Sequence, residues 1–209
     1  MGNSYDITKI INRQKVFSEF DLLSFPLSED YSRNEWNSIC NLIKRISKKP
    51  IFEIGFGNGK FPSTAKISSN NYYGVDASSK AVVEFRNANL GFYKRVSRKS
   101  FEESVDKWKN EDFLVIALFG SASYIMGPYL RILKESKNDY FLMFYKYDYC
   151  PIQYKDMHHF NYSLDGLRNS FKSETITEYG NYYIVTNLNI DGLLTESKEE
   201  RYIQQNLFF

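Results

Sequence analysis

The sequence predicts an α/β fold: an open, mostly parallel sheet with helices on both faces, closed near its C-terminal end by an antiparallel hairpin. Three observations carry that prediction. Short apolar runs alternate with stretches of helical periodicity from about residue 33 to residue 171. The run FLVIALF at 113–119 is apolar at every position, as a strand buried on both faces is. Two β-rich runs, SETITEY and YYIVTNL, flank Gly180-Asn181, a two-residue hairpin signal.

The elements follow in order. Ser32 to Glu35 has the S-x-x-E form of a capping box, and Trp36, Ile39, Cys40, Ile43 and Ile46 recur at helical spacing, so a helix is predicted over 33–47. Residues 50–54 read as a buried strand, followed by a glycine-rich turn and a helix over 60–68 with Pro62 in its first turn. A second strand at 71–77 leads to a helix at 78–90, with Ser78 or Ser79 as N-cap and Gly91 as the C-terminal stop. Further strands are predicted at 92–96, 113–119 and 140–145, with helices at 101–108, 129–136 and 164–171, and 147–163 as a polar and aromatic connection. The hairpin strands, 173–179 and 182–188, complete seven.

A chain of 209 residues fits one domain, 1–209: an N-terminal helical segment (1–48), a core (49–190) and a C-terminal tail (191–209). A formal net charge of +2 argues against a nucleic-acid partner, because no strong basic field is present. The two cysteines, Cys40 and Cys150, have no metal-ligand spacing, so no metal and no disulfide framework are expected. The longest apolar run is far too short to span a bilayer, MGNSYD has no secretory h-region, and Asp6 breaks the myristoylation pattern. The expectation is a cytoplasmic protein without membrane attachment.

The chemistry centres on IFEIGFGNGKF at 51–61. A P-loop needs G-x-x-x-x-G-K-[ST]; here the spacing is one residue short and Phe61 stands where the metal-binding hydroxyl belongs. A dinucleotide fingerprint needs its third glycine at position 60, which is Lys60, although Asp76 follows at a suitable distance. That reading fits less well and stays open.

Glu53-x-Gly55-x-Gly57-x-Gly59 fits a third pattern at every position. It resembles motif I of the class I S-adenosylmethionine-dependent methyltransferases, and Gly74-Val75-Asp76-Ala77-Ser78 resembles that family's second motif. The resemblance covers roughly 50–190 and implies a Rossmann-like fold, a seven-stranded sheet with a terminal antiparallel hairpin, and S-adenosyl-L-methionine as cofactor. It implies that Glu53 ends the first strand near the cofactor's methionine part, that Gly55, Phe56, Gly57 and Gly59 let the backbone approach it, and that Asp76, beside Ala77, accepts both ribose hydroxyls. A carboxylate suits a vicinal diol because its oxygens only accept. It also implies a floor from Leu118, Phe119 and Gly120. Ser100 and Phe101 are the candidates for adenine, since the family's usual acid or amide after strand three is absent.

Methyl transfer needs positioning above all, because the donor carbon is already activated. Ser121, Tyr124, Tyr145 and Tyr147 are candidates to line the acceptor site. His158 and His159 leave the carboxyl end of the sheet and are candidate general bases; ordinary surface histidines are the competing reading. The [DN]-P-P-[YF] sequence of adenine and cytosine amino-methyltransferases is missing at 118–121, which favours an oxygen or nitrogen of a small-molecule or peptide-like acceptor. The segment 5–31, with Tyr5, Phe17, Phe20, Phe25 and Tyr31, suits a lid or a packed helix. An RNA- or protein-modifying enzyme, with Lys94, Arg95, Arg98 and Lys99 as its basic cluster, and an inactive binding module are the alternatives. Lys60 reads as a solvent-facing residue. Oligomeric state is not legible.

Overall fold

The computed structural model describes residues 31–146, 162–172 and 174–194. The expectations placed on 1–30, on Tyr147, His158 and His159, and on 195–209 lie outside these residues. The described elements are α1 (Arg33–Ile46), β1 (Ile51–Ile54), α2 (Lys60–Thr64), β2 (Tyr72–Asp76), α3 (Ser79–Ala88), β3 (Val96–Arg98), α4 (Val105–Asn110), β4 (Leu114–Ala117), α5 (Gly127–Glu135), β5 (Asp139–Tyr145), α6 (Leu164–Ser170), β6 (Thr175–Tyr179) and β7 (Tyr182–Thr186).

One sheet runs β3-β2-β1-β4-β5-β7-β6. Its first five strands are parallel, and β7 lies antiparallel between β5 and β6. Every residue of β1 and β4 is buried, as central parallel strands demand. Side chains alternate between two cores. Ile51, Tyr72, Leu114, Ile116, Phe141 and Met143 face α1, α2 and α3, while Phe52, Val75, Val115, Leu142 and Phe144 face α4, α5 and α6. The α1 cap forms as predicted: Ser32 Oγ accepts from the Glu35 amide and the Glu35 carboxylate accepts from the Ser32 amide. Among the described residues, no helix is long and apolar enough to cross a membrane.

Three sequence expectations are corrected. The helix predicted over 60–68 stops at Thr64: Lys66 takes a left-handed φ of 53°, and the Ile67 amide bonds back to the Pro62 carbonyl at 2.9 Å, a Schellman close. The third strand is Val96–Arg98, not 92–96. Residues Leu90–Arg95 wind as 3-10 turns because Asn89 ends α3, and the Phe92 ring packs edge-on to Tyr72 and Phe85. Gly91 therefore does not cap α3; Asn89 does.

Asn138 fixes where β4 and β5 begin. Its Oδ1 accepts from the Phe113 amide at 2.9 Å and its Nδ2 donates to the Trp108 carbonyl at 2.7 Å, all with Asn138 only 2% exposed. Replacing Asn138 by Ala strands a buried donor and a buried acceptor. We expect Asn138→Ala to cost about 2–4 kcal/mol in urea unfolding; a loss below about 0.5 kcal/mol would contradict this account of the sheet's central register.

Candidate functional site

Strand order reverses between β1 and β4: β2 and β3 extend the sheet one way, and β5 onward the other. The loops leaving β1 and β4 therefore diverge at the carboxyl edge and open a crevice, where open α/β sheets bind ligands. Gly55 comes from the β1 side and Ser121 from the β4 side. A Cβ on Gly55 would sit 2.8 Å from Ser121 Oγ, so the two loops touch at their roots. The β4 exit is strained. Phe119 holds φ at 45° although it carries a side chain, and Gly120 follows at 92°. Only glycine fits position 120, since a Cβ there would lie 2.1 Å from the Tyr145 ring.

Asp76 ties the crevice together. One carboxylate oxygen accepts from the Gly57 amide and the other from the Ser78 amide, each at 2.9 Å. The first bond anchors the glycine turn to β2; the second sets Ser78, whose own hydroxyl accepts from the Ala81 amide to cap α3. Gly57 sits beside the carboxylate at φ 55°, and a Cβ there would meet nothing within 4 Å. The turn thus presents bare backbone, with open space next to an acceptor.

Glu53 lies on the same sheet face, two register positions behind Asp76. It is 3% exposed, and its Oε2 accepts the Tyr72 hydroxyl at 2.5 Å. Burial pushes its carboxyl up to about 8; the Tyr72 bond opposes that shift and the negative Asp76 adds to it.

No protein-family model and no curated protein sequence matches this chain. Solved structures do match. The CcbJ methyltransferase of Streptomyces caelestis superposes with a TM-score of 0.55 at 10% identity, over 78% of this chain and 98% of that one. A S-adenosylmethionine-dependent methyltransferase from Clostridium acetobutylicum gives a TM-score of 0.52 at 12% identity, over 88% and 98%. Another, from Anabaena variabilis, gives 0.52 at 11% identity, over 89% and 96%. The chain has the class I methyltransferase fold.

On this methyltransferase fold the sequence-predicted residues separate into groups. Glu53, Gly55, Gly57, Asp76 and half-buried Ala77 gather at the β1–β2 edge, and Leu118, Phe119, Gly120 and Ser121 at the β4 exit. Phe56 and Gly59 act from below. The Phe56 ring packs edge-on to Phe85 at 4.8 Å, and a Cβ on Gly59 would lie 2.4 Å from that same Phe85 ring. Tyr145 is a packing residue, its ring against Gly120 and its amide on Ser123 Oγ. Tyr124 is half-buried against the α1-side core.

The two residues proposed for adenine are both engaged within the protein. Phe101 is 2% exposed and stacked on Trp108 at 4.4 Å, so its ring is committed to the core. Ser100 exchanges bonds with Glu103 in a second capping box; its S-x-x-E spacing was the signal that sequence reading passed over. Lys60 is corrected: its ammonium lies 5.3 Å from the centroid of the Tyr31 ring and 5.0 Å from that of Trp36. These two rings form one cluster with Phe119 of the β4 exit. Tyr72, the partner of Glu53, went unrecognised because its contact spans two strands.

The raised Glu53 carboxyl makes stability depend on pH. Its unfolded value is about 4.3, so between there and about 8 the native state holds a proton that the unfolded state has lost. Stability from this group is full below the unfolded value and is lost as pH rises through the folded one, by up to ~1.4 kcal/mol per unit. Glu53→Gln keeps the acceptor for Tyr72 and removes the titration. Urea unfolding from pH 5 to 8 should show the variant gaining on wild type as pH rises; a constant difference would contradict the assignment.

Proposed function

We propose that this protein is a S-adenosylmethionine-dependent methyltransferase that acts on an oxygen or nitrogen of a small-molecule or peptide-like acceptor. The carrying observation is Asp76: a buried carboxylate at the end of β2, bound to the Gly57 and Ser78 amides and set beside an open glycine backbone. A nucleoside's vicinal hydroxyls fit that pair of oxygens, and a ligand without phosphate needs no anion cradle from the turn. On this reading Asp76 holds the ribose, Gly55 and Gly57 admit the ligand's close approach, Glu53 lies toward its amino-acid end, and Leu118, Phe119 and Gly120 form the floor. When bound, the cofactor supplies a methyl group activated on a sulfonium. The protein's own work is to orient the acceptor and exclude water. The packed rings of Tyr31, Trp36 and Phe119 make the β4 exit apolar, which suits that exclusion. His158 and His159 remain proposals for the base, to be tested by their alanine variants.

The nucleic-acid reading finds less support. In its basic cluster Arg95 donates to the Tyr73 hydroxyl and to Asn70 Oδ1, and Arg98 donates to the Ala77 carbonyl at 3.2 Å. Those guanidiniums are spent partly on holding β3 and its flanks. We further propose a reducing, cytoplasmic setting, consistent with the buried thiol of Cys40, whose burial pushes it up to about 12.

Calorimetry with S-adenosylhomocysteine tests the cofactor reading. Wild type should bind, and Asp76→Asn, which turns one acceptor into a donor, should weaken binding by about 10- to 100-fold. Absent binding by wild type, or equal binding by a folded Asp76→Asn variant, would overturn it.

A further inference from the structure

The net charge of +2 hides an uneven distribution. From Lys80 to Lys99 there are six lysines and arginines and one carboxylate, Glu84, so this stretch carries +5 and the remainder of the chain −3. The same stretch holds Val83, Leu90 and Tyr93, each more than half exposed. Every other large apolar side chain among the described residues is buried or half-buried. Positive charge and exposed apolar surface therefore coincide at one edge of the sheet, where β3 is the last strand.

Local geometry joins the three apolar residues into one patch. Val83 and Arg86 stand one turn apart on α3, so they are neighbours on its surface. The Arg86 guanidinium lies 4.5 Å from the centroid of the Tyr93 ring. Leu90 and Tyr93 are three residues apart in the 3-10 turns Leu90–Arg95, where such side chains eclipse. Phe92 takes the inward position, against Tyr72 and Phe85, and leaves its neighbour Tyr93 outside. The cations divide by task. Arg86 donates to the Val96 carbonyl at 2.9 Å, Arg95 to the Tyr73 hydroxyl and Asn70 Oδ1, and Arg98 to the Ala77 carbonyl. The arginines thus tie β3 to its surroundings. Lys94 and Lys99 are exposed and make no ion pair among the described residues.

Charge complementarity selects the occupant. A second copy of this chain in a two-fold contact would set the patch against itself, cation facing cation. A nucleic acid would engage Lys94 and Lys99 through phosphates, but it has no use for the aliphatic Val83 and Leu90, and the guanidiniums that favour phosphate are bonded within the protein. An acidic polypeptide with apolar side chains uses both features, an apolar centre and a charged rim, as protein interfaces do.

We propose that the surface formed by α3, the turns Leu90–Arg95 and β3 docks an acidic segment of another protein. Its apolar side chains cover Val83, Leu90 and Tyr93, and its carboxylates meet Lys94 and Lys99. The inference does not depend on the cofactor reading. The surface adjoins the β2 side of the crevice, because Asp76 and Arg98 are register partners. The two kinds of contact differ in their response to salt. Ions screen the exposed lysines, whereas the apolar centre keeps its contribution.

The experiment is fluorescence anisotropy of a labelled peptide in which glutamates are interspersed with leucine and phenylalanine, titrated with the full chain at low and high salt. Competitors are the same peptide with serine at its apolar positions and a single-stranded RNA. Lys94→Glu with Lys99→Glu should weaken binding about tenfold at low salt, and the difference from wild type should shrink as salt rises. Leu90→Ser with Tyr93→Ser should weaken it about tenfold at both salt levels. Circular dichroism checks the fold of each variant; if the Tyr93 change disturbs it, Leu90→Ser alone takes its place. No binding by wild type, equal binding by both variants, or equal binding of the serine peptide overturns the inference. Tighter binding of the RNA overturns it in favour of a nucleic acid, and a wild-type dimer that the lysine variant dissociates overturns it in favour of a second copy.

Discussion

The Gly57 N–H donating to the Asp76 carboxylate is the contact on which the rest of the crevice depends. It joins the turn after β1 to the end of β2, so the first glycine loop is held by its neighbouring strand and not by its own side chains. The same carboxylate reaches the Ser78 amide and so sets the start of α3. One buried acid thereby defines the spacing of two loops and a helix. Its cost, the desolvation of a charge at 8% exposure, is offset by charge-assisted bonds from backbone donors that would otherwise also be buried.

The opposite wall is built on different physics. β4 ends in a left-handed Phe119 and a Gly120 that exists to let the Tyr145 ring lie against the backbone. That strained exit turns Phe119 into the cluster of Tyr31 and Trp36 and brings Ser121 against Gly55. Polar anchoring at the end of β2 thus contrasts with aromatic packing at the β4 exit.

Much of this was legible in the sequence, for local reasons. Glycine spacing and an acid at a strand end are contiguous patterns, so Gly55, Gly57 and Asp76 could be read directly. The hairpin at Gly180-Asn181 could be read from turn chemistry, and the capping box of α1 from four residues. What failed depended on contacts between distant segments. Phe92 looked like strand because it is aromatic, but its ring is drawn to Phe85 and Tyr72. Phe101 gave no sign in the sequence of its partner Trp108, seven residues on, whose ring stacks on it. Lys60 looked solvated because nothing adjacent holds it; its rings come from residues 31 and 36. The Tyr72–Glu53 bond needs the parallel register of β1 and β2, which spacing alone does not supply.

The central claim is that Asp76 serves the fold and the ligand at once. A structure of the protein with S-adenosylhomocysteine bound tests it most directly. The account predicts both ribose hydroxyls within about 3 Å of the Asp76 carboxylate oxygens, with the Gly57 amide still donating to one of them. A ribose held elsewhere in the crevice, with Asp76 bonded only to Gly57 and Ser78, would contradict it.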